Sequence, residues 1–190
     1  MRKLKINKRH KAARELMKEN KGNPSLKGAQ FDEEGCQYLG TTYYFVKIFP
    51  EYALRGVPSA KGEVMNLPKL ADDFFSGMER SSLTAVRVTL NELNEQAARL
   101  EKEQVNEQDD DSIPEPFALR IREWIFNPAY VVRCMEILGA NEAKLEFNND
   151  RRHSLIAIHA DKGCGAVAPF NKDKLNVNKF EEYVPLSLRG

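Results

Sequence analysis

The chain has 190 residues, 42% of them hydrophobic, with a mean hydropathy of -0.56 and a net charge of +1. That is enough apolar material for one large domain or two small ones, and no apolar run approaches the ~20 residues that cross a bilayer. The basic N-terminus leads into no apolar segment, so no secretory signal is expected. Cys36, Cys134 and Cys164 are odd in number and far apart, and read as reduced thiols of a cytoplasmic protein.

Three stretches repeat one plan of strand, capped helix, glycine and strand. The first runs from 3 to 49. Lys3–Asn7 predicts a strand and Asn7 a helix cap; Ala12, Ala13, Leu16 and Met17 form the buried stripe of a helix ending near Gly22. Strands are expected at Leu26–Phe31, Cys36–Leu39 and Tyr43–Phe49. The second stretch runs from 63 to 104. Glu63–Leu67 leads into a helix at Pro68–Ser76, Gly77 is expected to end it, and Leu83–Thr89 alternates as a half-buried strand. A further helix at Asn91–Gln104 turns Leu93, Ala97, Leu100 and Gln104 inward.

Charge is unevenly placed. Residues 1–27 hold ten Lys or Arg against Glu15 and Glu19, a local +8, whereas 101–116 hold seven acids against Lys102, a local -6. The acidic run over 105–116 is poor in apolar residues, with Val105 and Ile113 beside its two prolines, and reads as a solvated linker. The third stretch, 117–170, brings an alternating strand over Ala118–Ile125, an Asn127-capped helix at Pro128–Leu138 with Val131, Val132, Met135 and Leu138 inward, Gly139, and a strand at Lys144–Phe147. Ser154–His159 and Gly165–Phe170 then form a hairpin about Asp161-Lys162-Gly163. A polar tail occupies 171–190.

The segment FNPAYVVRCMEIL, with AKLEFNN, SLIAI and GAVAPF after it, resembles the closing unit of the bacterial DNA polymerase sliding clamp. GEVMNLPKLADDFFSGM is similar to the helix entry of an internal clamp unit, and QFDEEGCQYLGTTYYFVKI to the strands that follow a unit's first helix. The resemblance implies an α+β, DNA-clamp-like fold of repeated β-α-β-β-β units, with mostly antiparallel sheet and helices on one face. It further implies a non-enzymatic protein that contacts DNA without sequence specificity or serves as a docking platform for replication proteins. A chain of this length offers too few units to encircle DNA alone, so a monomer or dimer is favoured over a ring. The alternative is a small regulatory or protein-interaction module that keeps the fold without DNA binding.

Lys8, Arg9, Lys11, Arg14, Lys18 and Lys21 on the first helix, with Arg133 on the Pro128–Leu138 helix, are the candidate DNA contacts, because sequence-independent binding needs phosphate attraction and no base readout. The competing reading is a solvated basic face. No cofactor, metal or catalytic residue is expected. His153, His159 and Cys164 lack a fourth ligand and the usual zinc spacing. Asp109-Asp110-Asp111 lacks the glycine and terminal glutamate of a calcium loop. Trp124 reads as a core-edge residue, and Leu186-Ser187-Leu188 as part of a tail that packs or frays.

Overall fold

Among the described residues, asparagine caps set up three of the four α-helices. In the computed structural model, which describes residues 7–20, 22–61, 65–106, 118–150, 154–170, 180 and 182–185, helix α1 (Lys8–Glu19) starts at Asn7, whose side chain accepts from Arg9 N at 3.1 Å. Helix α2 (Leu67–Met78) starts at Asn66 and α4 (Pro128–Leu138) at Asn127, each with a proline in its first turn, where a missing N–H costs nothing. Helix α3 (Leu90–Asn106) uses a capping box instead: Thr89 N donates to Glu92 Oε2 at 3.1 Å, and Glu92 N donates to Thr89 Oγ1 at 3.2 Å.

The strands are β1 (Gln30–Phe31), β2 (Gln37–Gly40), β3 (Tyr44–Ile48), β4 (Leu83–Thr89), β5 (Leu119–Ile121), β6 (Trp124–Phe126), β7 (Glu142–Asn148), β8 (Ile156–Ala160) and β9 (Gly163–Val167). Seven make one antiparallel sheet in the order β1-β2-β3-β9-β8-β7-β4, and β5 and β6 form a separate hairpin. The order reveals two equivalent halves. Helix α1 with β1-β2-β3 and helix α4 with β7-β8-β9 meet at the β3–β9 seam, where Phe45 pairs with Ala166. The mixed α+β class and the antiparallel sheet are as expected.

Alternation along the strands divides the core. Leu39, Val46, Ile48, Leu145, Phe147, Ile156, Ile158 and Val167 face α1, α3 and α4. Tyr38, Phe45 and Ala166 face the other way, against Leu67, Ala71, Phe74 and Phe75 of α2. Helix α2 therefore covers the opposite face, where all helices were expected on one. Its segment is not a third copy of the plan either, since β4 continues straight into α3 and pairs with β7 at the sheet's far edge.

Other expectations also change. The strand expected at Leu26–Phe31 is confined to Gln30–Phe31, and Leu26 instead closes a 3-10 turn, Pro24–Leu26, in which Pro24 fixes its φ and Asn23 caps Ser25 N. Gly28 then lets the backbone press on 58–60: a Cβ there would sit 2.5 Å from Ser59 C. Ala118–Ile125 is not one strand but the first part of the β5–β6 hairpin, turning at Arg122-Glu123 with Arg122 at φ 52. Gly139 ends α4 at φ 66 as expected. Gly77 lies inside α2 and Gly22 follows α1 without a positive φ. Buried Asn20 anchors the end of α1 instead, donating to Leu26 O at 2.9 Å and Gly40 O at 2.8 Å. The expected strand at 3–7 lies largely outside the described residues, as does the linker, whose first two residues still belong to α3; of the strand expected at 63–67, Met65 and Asn66 are irregular and Leu67 already opens α2.

Part of the C-terminal segment docks. Tyr183 is buried in the main core, its N–H donates to Arg120 O at 2.8 Å, and its hydroxyl donates to Glu92 Oε1 at 2.9 Å. Leu186-Ser187-Leu188 lies outside the described residues. Among the described residues no helix is long and apolar enough to cross a membrane.

Candidate nucleic-acid interface

Helices α1 and α4 pack side by side and antiparallel on the sheet, with α3 flanking α4. Ala12, Ala13 and Leu16 hold α1 down, and this leaves Lys8, Lys11, Arg14 and Lys18 exposed along its outer side. A helix repeats every 3.6 residues, so these four positions form one continuous strip. Lys11 lies 3.9 Å from Glu15 but keeps 75% of its side-chain surface open to water.

Two other candidates are engaged within the molecule. Arg9 Nε donates to Ile137 O at 2.7 Å and Arg9 Nη2 to Tyr52 O at 3.0 Å. Its guanidinium thus sits at the C-terminus of α4, where unpaired carbonyls favour a cation, and Lys162 Nζ joins it at Gly139 O, 3.3 Å away. Burial lowers the pKa of Arg9 from its ordinary value. Arg133 lies in the seam between the helices. It donates to Glu15 Oε2 at 2.6 Å and Glu136 Oε2 at 3.3 Å, with Glu19 at 4.0 Å. Burial alone would lower its pKa; Glu15 and Glu136 more than reverse this and hold it above the ordinary value. Lys21 lies outside the described residues.

A feature not foreseen from the sequence sits where α1 ends and α4 begins. The ring of Tyr130 stacks on Tyr44 at 5.0 Å and on Tyr43 at 5.8 Å, with interplanar angles of 27° and 12°. Tyr44 is buried and its hydroxyl donates to Glu19 Oε2 at 3.0 Å, whereas Tyr43 is 58% exposed. The adjacent pair Tyr43-Tyr44 and the N-terminal placement of Tyr130 on its helix were the available signals. Nothing local indicates that two turns from opposite halves of the chain meet there.

Asp32 and His159 each pair with a charged neighbour. Asp32 accepts from Cys36 N at 2.8 Å and from the Tyr38 hydroxyl at 2.7 Å, with Lys47 Nζ at 3.6 Å. Burial pushes its carboxyl up, but these partners outweigh it and hold it below the ordinary value. Asp32, Glu34 and Cys36 bring three possible ligand atoms within 4.8 Å of one another, but the Lys47 ammonium already stands beside Asp32. His159 lies cross-strand from Cys164 and pairs with Glu146 at 2.9 Å, while His153 is outside the described residues. All three cysteines are free thiols, and burial pushes Cys164 up to about 11. Trp124 is buried against Phe147 with ring centres 4.8 Å apart.

No family model matches the chain, and no curated protein sequence does. Among solved structures, it is similar to a candidate DNA polymerase III beta subunit of Eubacterium rectale ATCC 33656, with 11% identity and a TM-score of 0.48 over 86% of this chain and 64% of that one. It is also similar to the beta subunit of the DNA polymerase of Streptococcus pyogenes, with 10% identity and a TM-score of 0.47 over 85% of this chain and 64% of that one. The chain thus spans about 64% of the length of these structures. At identities this low the likeness concerns fold alone.

Proposed function

We propose that this protein is a non-enzymatic clamp-like module that contacts duplex DNA through the outer side of α1, without sequence preference. The observation carrying this reading is the strip of Lys8, Lys11, Arg14 and Lys18, exposed on a helix held flat against a sheet. Cations on a flat helical layer reach phosphates. They do not project into a groove as a recognition helix does, so base edges go unread. Arg133 lies among Glu15, Glu19 and Glu136 and contributes less to the surface potential than its charge suggests. Arg9 acts mainly on α4.

The same reading favours a monomer or dimer. One outer edge of the sheet is β1, only two residues long, which offers little for strand pairing with another subunit.

Fluorescence anisotropy with two labelled duplexes of equal length and unrelated sequence tests the proposal. Both bind equally at low salt, and log K falls with log salt at a slope of about -3 to -4, as four neutralised phosphates require. A sequence preference or the absence of low-salt binding contradicts it.

A further inference from the structure

The tyrosine ladder of Tyr43, Tyr130 and Tyr44 has a built base and an open top. Tyr44 is fixed at the bottom by burial and by its hydrogen bond to Glu19. Tyr130 is half-buried above it, held by the first turn of α4. Tyr43 completes the stack, and its backbone is pinned on both sides: its N–H donates to Thr41 Oγ1 at 3.1 Å, and its carbonyl accepts from Ala168 N at 2.7 Å. An aromatic ring this exposed gains little from burial, yet this one is aligned within 12° of its neighbour. Lys18 is exposed on the same end of α1, next to the Glu19 that anchors the ladder.

Flat, pre-oriented aromatic surface beside the exposed Lys18 ammonium suits an unpaired base with its phosphate. We infer that the Tyr43 ring is a stacking platform for single-stranded nucleic acid. The inference goes beyond duplex contact, because a base inside a duplex has both faces covered by its neighbours and offers none to Tyr43. The ladder costs the ligand little ordering, since the rings are held in place before it arrives.

The test compares labelled oligo-dT, an abasic oligomer of the same length and a duplex, each titrated with the wild type, Tyr43→Ala, Tyr43→Trp and an α1 charge-reversal variant. Far-UV circular dichroism checks the fold of each. Tyr43→Ala weakens oligo-dT binding about 5- to 150-fold, the equivalent of one stacked base, and leaves the duplex unaffected. Tyr43→Trp retains or tightens oligo-dT binding, and the abasic oligomer binds wild type no better than oligo-dT binds Tyr43→Ala. Oligo-dT affinity that ignores Tyr43→Ala, or equal binding of abasic and thymine oligomers, overturns the inference while leaving duplex contact standing. Loss of oligo-dT binding on Tyr43→Ala in a protein that binds no duplex sustains the inference and removes the duplex reading.

Discussion

Helices α1 and α4 occupy equivalent places in the two halves of the sheet, start from the same asparagine cap, and carry opposite loads. Helix α4 buries Pro128, Val131, Val132, Cys134, Met135, Ile137 and Leu138; α1 buries Ala12, Ala13 and Leu16. The difference lies in position. Helix α4 is enclosed by α1, α3 and the sheet, so nearly every side chain meets another, whereas α1 is the outermost member of the layer and has a side left over. An enclosed helix is committed to stability, and an outer one is free to carry charge.

The sharpest way to break this comparison is to remove apolar volume from α4. Ile137→Ala leaves a cavity at a fully buried site and lowers stability by about 2–5 kcal/mol. Urea denaturation measures it, and an effect below 1 kcal/mol would mean that α4 is not the centre of the core. Within α1 itself, Arg9 behaves as part of α4. Arg9→Ala removes charged hydrogen bonds to Ile137 O and Tyr52 O and costs about 1.5–3 kcal/mol, whereas Lys8→Ala stays within about 0.5 kcal/mol.

Two glycines stand in opposite situations, Gly139 at the end of α4 and Gly77 inside α2. Gly139→Ala forces a side chain into the left-handed region and towards the Arg9 stem, where a Cβ would lie 2.8 Å from Cδ, at a cost on the order of 1–2 kcal/mol. Gly77→Ala, in a helix with nothing within 4 Å of the new methyl, raises stability by about 0.4–1 kcal/mol. Thermal melts of the two variants move in opposite directions. Asp32, in the turn before β2, has a folded pKa below its unfolded value, so its contribution is present above the unfolded pKa and disappears as pH falls through the folded one. Asp32→Asn is therefore less stable than wild type at neutral pH, and the gap narrows in acid; a gap constant with pH would contradict the Tyr38 and Lys47 contacts.

Much of this was legible in the sequence because it is local. The Asn127 cap, Pro128, the apolar stripe and Gly139 delimit α4 to the residue, and Leu83–Thr89 alternates as β4 does. What was not legible depends on chain segments distant in sequence. The apolar face of α2 shows that it packs, but Leu67, Ala71 and Phe75 are equally suited to either side of the sheet. The two-residue turn at Arg122-Glu123 has no glycine or asparagine to announce it. At the candidate site, the basic strip was readable from residue spacing. That Arg9 is held by Ile137 and Arg133 by Glu15 was not, since those partners come from the other helix.

DNA contact is proposed for the outer side of α1 and for no other helix face. The direct test reverses Lys8, Lys11, Arg14 and Lys18 to Glu, with Lys69→Glu and Lys102→Glu on α2 and α3 as a control, and titrates a labelled duplex at low salt. The account predicts that the α1 variant melts within a few degrees of wild type and no longer binds, while the control binds as wild type does. Duplex affinity that survives the α1 reversal, or falls equally in the control, would contradict it.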